Sequence, residues 1–187
     1  NASKMETNTF GSANAGSITT NTQNLTVSGG SQLKSDTSGA GDAGNITINA
    51  DGLLRDSEGV LLDQNGDRIL DESDDFAFDS SNTFDQNGNP INPIRIGSGG
   101  TVTFEGLGSQ ASSSVQEASS SVQEDSTVNS GEINIFANSF FMSDSAKIST
   151  NNTNGIAGSI GITAAEQIEI KDNSTIESKG NSGDITI

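Results

Sequence analysis

The sequence predicts an all-β solenoid with turns of about 27 residues and one acidic inserted meander. Three observations carry that expectation. First, Gly131-Glu-Ile133-Asn-Ile135, Phe140-Phe-Met142 and Ile148 return as Gly158-Ser-Ile160-Gly-Ile162, Ile168-Glu-Ile170 and Ile176. Second, each apolar pair has period two, the strand period in which alternate side chains share a face. Third, the two copies begin 27 residues apart, a self-similarity expected of repeats that each cover a neighbour.

Composition narrows the alternatives. Ile, Leu, Val and Phe make up 40 of the 187 residues, and the formal charge is −17. That combination borders on disorder, but a disordered chain has no reason to hold apolar residues at matching offsets. There is no Cys, His, Trp or Tyr, so disulfides and Cys or His metal ligation are excluded. The acidic balance argues against nucleic acid and anionic membrane surfaces as partners. No apolar run approaches the ~20 residues of a transmembrane segment.

In chain order, residues 1–15 read as the tail of a preceding turn. From Gly16 the template runs through Ile18, Thr20, Leu25, Val27 and Leu33, and it restarts at Gly44 with Ile46, Ile48 and Leu53. It then breaks off until Gly100-Thr-Val102-Thr-Phe104, so an insertion over 54–90 is expected between the second and third strands of that turn. Pro93-Ile94-Arg95-Ile96 is the expected returning strand. A third turn would then run from Gly100 to Ser130, making five complete turns and a rod of about 24 Å. Within it, 109–127 contains a tandem heptad, Ser112–Ala118 and Ser119–Asp125. One apolar residue per heptad is too few for a coiled coil, so a Ser-rich surface loop is expected. Gly183-Asp-Ile185-Thr-Ile187 begins another turn, and the whole of 1–187 reads as one solenoid segment of a longer chain.

Inside the insertion, Leu-Asp-Gln-Asn-Gly at 62–66 is echoed by Phe-Asp-Gln-Asn-Gly at 84–88. Asn-Gly between apolar runs is a strong hairpin signal, because both residues tolerate positive φ. Residues 51–85 carry 11 acidic and 2 basic side chains, a large share of the net charge.

Two chemical readings arise. Asp63, Asn65, Asp67, Asp71 and Asp74 match positions 1, 3, 5, 9 and 12 of a Ca²⁺ loop, although position 6 is Arg68 where glycine belongs. The same residues also read as an Asn-Gly hairpin with acidic flanks. A polysaccharide-degrading enzyme would need carboxylates gathered in one groove. Here Glu105, Glu132, Glu166, Glu169 and Asp172 are scattered by offset, and the aromatic candidates for stacking sugar are phenylalanines such as Phe140 and Phe141. Phe140 and Met142 fall on the inward parity; Phe136 and Phe141 fall on the outward one.

The glycine-led turns with small-residue corners (Asn14-Ala15-Gly16-Ser-Ile18, Asp42-Ala43-Gly44-Asn-Ile46, Ile156-Ala157-Gly158-Ser-Ile160) resemble the filamentous-haemagglutinin-like exoproteins of two-partner secretion, cyanobacterial type. The resemblance covers 1–53 and about 94–187. It implies a right-handed parallel β-helix, secreted to the outer surface of a bacterium and serving as an adhesin shaft or extracellular fibre subunit. Expected partners are copies of itself end to end and a cell-surface or matrix glycan. The alternatives are a carbohydrate-active β-helix enzyme acting on acidic polysaccharide or a calcium-binding extracellular module.

Overall fold

A computed structural model of the chain describes residues 2–56, 58–73, 75–78, 82–93, 95, 99–115, 128–153, 155–181 and 183–187. Among the described residues there is no helix, and therefore none long and apolar enough to cross a membrane. The strands form two sheets. One holds β1 (Lys4–Thr9), β4 (Gln32–Thr37), β7 (Gln110–Val115), β9 (Lys147–Asn152) and β11 (Thr175–Lys179), side by side in that order. The other holds β2 (Ile18–Asn21), β5 (Ile46–Ala50), β8 (Ile133–Ser143), β10 (Ile160–Ile170) and β12 (Ile185–Thr186). Its flank is extended by β3 (Leu25–Ser28) and β6 (Thr101–Glu105), with β6 pairing to the second half of β8. Every pairing between named strands is parallel.

The register turns the sequence template into columns. Ile18, Ile46, Ile133, Ile160 and Ile185 are successive partners, as are Leu25, Val102, Phe140 and Ile168. In the first sheet the column is Met5, Leu33, Ala111, Ile148 and Ile176. The inward members of both sheets meet in one core, where Ile46, Ile133, Phe140 and Ile148 are fully buried. Parallel ladders of this kind align equivalent side chains of successive strands, so one period-two pattern suffices to fill the core.

Two columns lock the stack. Gly16, Gly44, Gly131 and Gly158 form a column in which each backbone rests on the next; a Cβ on Gly158 would lie 2.6 Å from the Gly131 carbonyl carbon. Beside it, Thr7, Ser35, Ser113, Thr150 and Ser178 form a column through the first sheet. The Ser35 hydroxyl accepts from Gly44 N–H at 2.8 Å and donates to Gly16 O at 3.1 Å. Ser113 repeats this one level on, with Gly131 N–H at 2.9 Å and Gly44 O at 3.1 Å. These buried hydroxyls satisfy backbone groups that the strand ladders leave over, which is why polar side chains sit in the core.

Three expectations are corrected. Gly100–Phe104 does not open a third turn. Its strand β6 pairs with β3 and with the second half of β8, and is thus the second strand of the repeat that begins at Gly44. The insertion accordingly lies between the first and second strands, spanning 51–99, and there is one complete repeat fewer. A glycine-led inward pair looks the same in either strand; Gly100 is needed because a Cβ there would strike the Gln23 carbonyl. Second, of the expected returning strand, Arg95 makes an antiparallel bridge with Leu53, while Ile94 and Ile96 lie outside the described residues. Third, the Ser-rich stretch 109–127 is not a surface loop throughout. Gln110–Val115 is a buried strand between β4 and β9, because this face of the repeat takes small hydroxyl residues inward. Residues 116–127 lie outside the described residues.

The insertion is a succession of tight turns joined by single antiparallel bridges, in place of the expected strands of a meander: Arg55–Leu61, Leu62–Arg68, Leu70–Phe76, Phe84–Pro90. Leu53, Leu61, Ile69 and Ala77, eight residues apart, form its own small core with Ile91. It is held to the outer face of the second sheet by Arg55, whose guanidinium carbon lies 3.8 Å from the centre of the Phe136 ring. Arg55 also pairs with Asp51 and donates to the carbonyls of Gly59 and Phe78 at 2.7 and 2.8 Å. Thr47, Asn49 and Phe136, which point outward from β5 and β8, are buried.

Candidate functional site

The acidic residues singled out as calcium ligands work first as turn caps. Asp63 Oδ1 accepts from Asn65 N–H at 2.8 Å and Asp67 N–H at 2.9 Å, and the Asn65 amide donates to Oδ2 at 3.1 Å. The hydrogen bond from the Asp67 backbone, with those from Asn65 and Gly66, outweighs desolvation and lowers the Asp63 pKa. Asp71 caps a separate turn through Ser73 N–H at 2.7 Å and Asp75 N–H at 3.2 Å. Asp56 and Asp85 do the same, Asp85 with its pKa lowered chiefly by Asn89. An aspartate that hydrogen-bonds its own chain two and four residues on is a general turn former, and here it recurs four times.

Of the four described residues, Asp63, Asn65 and Asp67 belong to one turn and Asp71 to the next. Asp63, Asn65 and Asp67 line a cavity of about 150 Å³ whose other wall is Asp85, Gln86 and Asn87, the echo of the same sequence; Asp71 does not line it. Asp74 lies outside the described residues. Among the described residues no group of three or more acidic side chains is placed to hold a metal ion. Position 6 of the supposed loop explains the difference: Arg68 bridges back to Leu62 and forms ion pairs with Asp56, at 2.6 Å, and with Glu58. That keeps a hairpin where a calcium loop must wrap round its ion.

A larger feature was not legible beforehand. Between the insertion and the corners that precede β2, β5 and β8 runs a groove of about 620 Å³. Its floor is made of corner residues from three successive repeats, including Asp42, Asn45, Asn129 and Glu132, with Asn134 from β8; its far wall is Glu58 and Phe78. The corners are rigid because side chains of one repeat cap the backbone of the next. Asn14 accepts from Asp42 N–H at 3.0 Å, Asp42 from Asn129 N–H at 2.7 Å, and Asn45 from Glu132 N–H at 2.9 Å.

Phe78 is 49% exposed. The sequence did hold a signal for it: Ala77 occupies the inward place in the eight-residue spacing, so its neighbours Phe76 and Phe78 must point out. The aromatics named beforehand are elsewhere. Phe140 is fully buried in the main core, Phe141 is half-buried, and Phe136, expected to be an outward contact, lies beneath Arg55. Carboxylates do gather more than sequence offsets indicated, since Asp42 and Glu132 share the groove with Glu58 of the insertion. Comparison of the chain with protein-family models, with curated proteins and with solved structures returns no match.

Proposed function

We propose that this chain is a segment of a right-handed parallel β-helix belonging to an elongated protein of the bacterial outer surface, similar to filamentous-haemagglutinin-like exoproteins, with a structural role as shaft or fibre subunit. The observation that carries the reading is the glycine column. Gly44, Gly131 and Gly158 tolerate no side chain, because each packs against the backbone of the glycine one level below, the first of them on Gly16. Such spacing serves repetition along an axis, and repetition yields length.

The hydroxyl column supports the same reading, since Ser35 and Ser113 tie strands of one sheet to the start of the next repeat in the other. In this reading the strand columns carry the fold, and calcium is proposed only as an optional occupant of the acidic turns. The reading is tested by small-angle scattering and negative-stain microscopy of the purified chain, alone and fused in tandem. A cross-section that stays constant while length grows with copy number supports it; a compact particle of either form removes it.

A further inference from the structure

We infer that the two Asn-Gly turns of the insertion, 65–66 and 87–88, are latent sites of spontaneous deamidation, restrained by Asp63 and Asp85. This goes beyond the shaft reading and does not depend on it, because both turns lie in the insertion and outside the repeats that build the stack.

Asparagine is among the thermolabile residues, and the chemistry needs no enzyme. The glycine nitrogen attacks Cγ of the asparagine side chain. A bond forms between them, the Cγ–Nδ2 bond breaks, and Nδ2 departs as ammonia with the proton that the glycine nitrogen gives up. The product is a cyclic succinimide, which solvent water then opens. Addition at Cγ leaves aspartate; addition at the former backbone carbonyl leaves isoaspartate, in which the chain runs through Cβ and Cγ. Nothing is oxidised or reduced. Glycine suits the attack because it has no Cβ to crowd its nitrogen and few limits on its dihedrals. The asparagines that cap corners of the stack lack that partner, since Asn14 precedes Ala15 and Asn45 precedes Ile46. A third Asn-Gly pair, 154–155, begins at a residue outside the described ones.

Water has access to both turns. Asn65, Gly66, Asn87 and Gly88 are exposed, and nothing lies within 4 Å of the place a Cβ on either glycine would take. Hydrogen bonding is what opposes the reaction. Gly66 N–H, the attacking group, donates to Asp63 O at 3.0 Å. Asn65 Nδ2, the leaving group, donates to Asp63 Oδ2 at 3.1 Å, and Asn65 N–H donates to Oδ1 at 2.8 Å. One residue thus holds both reacting groups. In the second turn Gly88 N–H donates to Asp85 O at 2.9 Å and Asn87 N–H to Asp85 Oδ1 at 2.8 Å. A bonded N–H must be released before it gives up its proton, as in amide exchange, so the reaction waits on local opening.

A turn that has reacted does not close as before. Aspartate at 65 sets a second carboxylate against Asp63 Oδ2, where an amide had donated. Isoaspartate inserts a methylene into the main chain between Asp63 and Asp67, whose N–H donates to Asp63 Oδ1. Either product adds negative charge to the cavity the two turns share, which Asp63, Asp67 and Asp85 already line with Arg68. Opening permits the reaction and the product hinders reclosing, so each turn changes in one direction only.

The test is peptide mass mapping of the full chain aged in mildly alkaline buffer, folded and unfolded in guanidinium chloride. Deamidation at 65 and at 87 is expected to be about tenfold slower or more in the folded chain. Asp63→Ala should raise the rate at 65 about tenfold and leave 87 unchanged, and Asp85→Ala should do the reverse. Exchange protection at Leu61 and Ile69, whose N–H groups bond Ala77 O and Leu61 O, reports whether the insertion is retained. If Asp63→Ala abolishes it, Asp63→Ser, whose hydroxyl caps a turn more weakly, takes its place with the same expectation. Chain modified at 65, isolated by its added charge, should show lost exchange protection in the 63–67 turn. The inference is overturned if folded and unfolded chains react alike, or if a variant at Asp63 with the insertion retained reacts at 65 no faster than the native chain. It is equally overturned if both sites accelerate together in such a variant, or if modified chain is as well protected as native chain. Scattering dimensions enter none of these outcomes, so failure here and failure of the shaft reading are separate results.

Discussion

The guanidinium carbon of Arg55 lies over Phe136, 3.8 Å from the ring centre, and joins an insertion with its own core to the outer face of the second sheet. The contact is dry, for Arg55 is 6% exposed and Phe136 is 5% exposed, and it is completed by the Asp51 carboxylate and two backbone carbonyls. Gly59 is fitted to the same ring, since a Cβ there would meet it at 2.7 Å.

Arg55→Ala leaves Asp51 without its partner and uncovers Phe136, and is expected to destabilise the docked insertion by about 3 kcal/mol. Arg55→Lys recovers only part, because an ammonium lacks the planar fork that reaches Asp51 and both carbonyls together. Hydrogen exchange is the measurement: protection should fall over 53–91 and persist in β8 and β10. Equal loss in both regions would show that the insertion is integral to the stack.

Gly158→Ala probes the glycine column. The added methyl group meets backbone that cannot rotate away, so strain on the order of 2–4 kcal/mol is expected in chemical denaturation. Gly66→Ala tests a different cost, since nothing lies within 4 Å of that position and only its positive φ opposes the change. The first substitution should be clearly the worse.

The hydroxyl column makes a prediction about chemistry at constant shape. Ser113→Ala removes the acceptor of Gly131 N–H and the donor to Gly44 O in a fully buried place, at a cost of about 1–3 kcal/mol. Ser113→Thr should be well tolerated, because Thr150 occupies the same column one strand away. Thermal melts of the three proteins decide it.

In the core, Ile160→Ala is expected to cost about 2–5 kcal/mol, whereas Leu107→Ala, at a turn and 83% exposed, should be close to neutral. Denaturant midpoints at equal slope give the comparison.

Acid should act on the insertion first. Asp63 and Asp85 have lowered pKa values, so their contribution is present above the unfolded carboxylate value of about 3.9 and is lost as pH falls through the folded value. Exchange protection in the 63–67 and 85–89 turns should therefore drop below about pH 4. Asp63→Asn keeps an oxygen acceptor for Asn65 and Asp67 N–H and should remove the pH dependence of the first turn only.

Much of the architecture was legible in the sequence because a parallel stack uses the same inward places again and again. Ile133 and Ile160 could be matched by counting, and they are register partners. Glycine before each first strand was likewise readable, since only glycine fits where one backbone lies on another. What counting left undecided was which strand of a repeat a given inward pair belongs to, and Val102 with Phe104 was misplaced for that reason. The fates of Ser113, Phe136 and Phe78 were decided only in three dimensions. Period two says that a side chain points in or out; it cannot say that an insertion will cover an outward phenylalanine, or that a hydroxyl will find a glycine eighteen residues ahead. Those outcomes depend on contacts between distant segments, and such contacts exist only once the chain has folded.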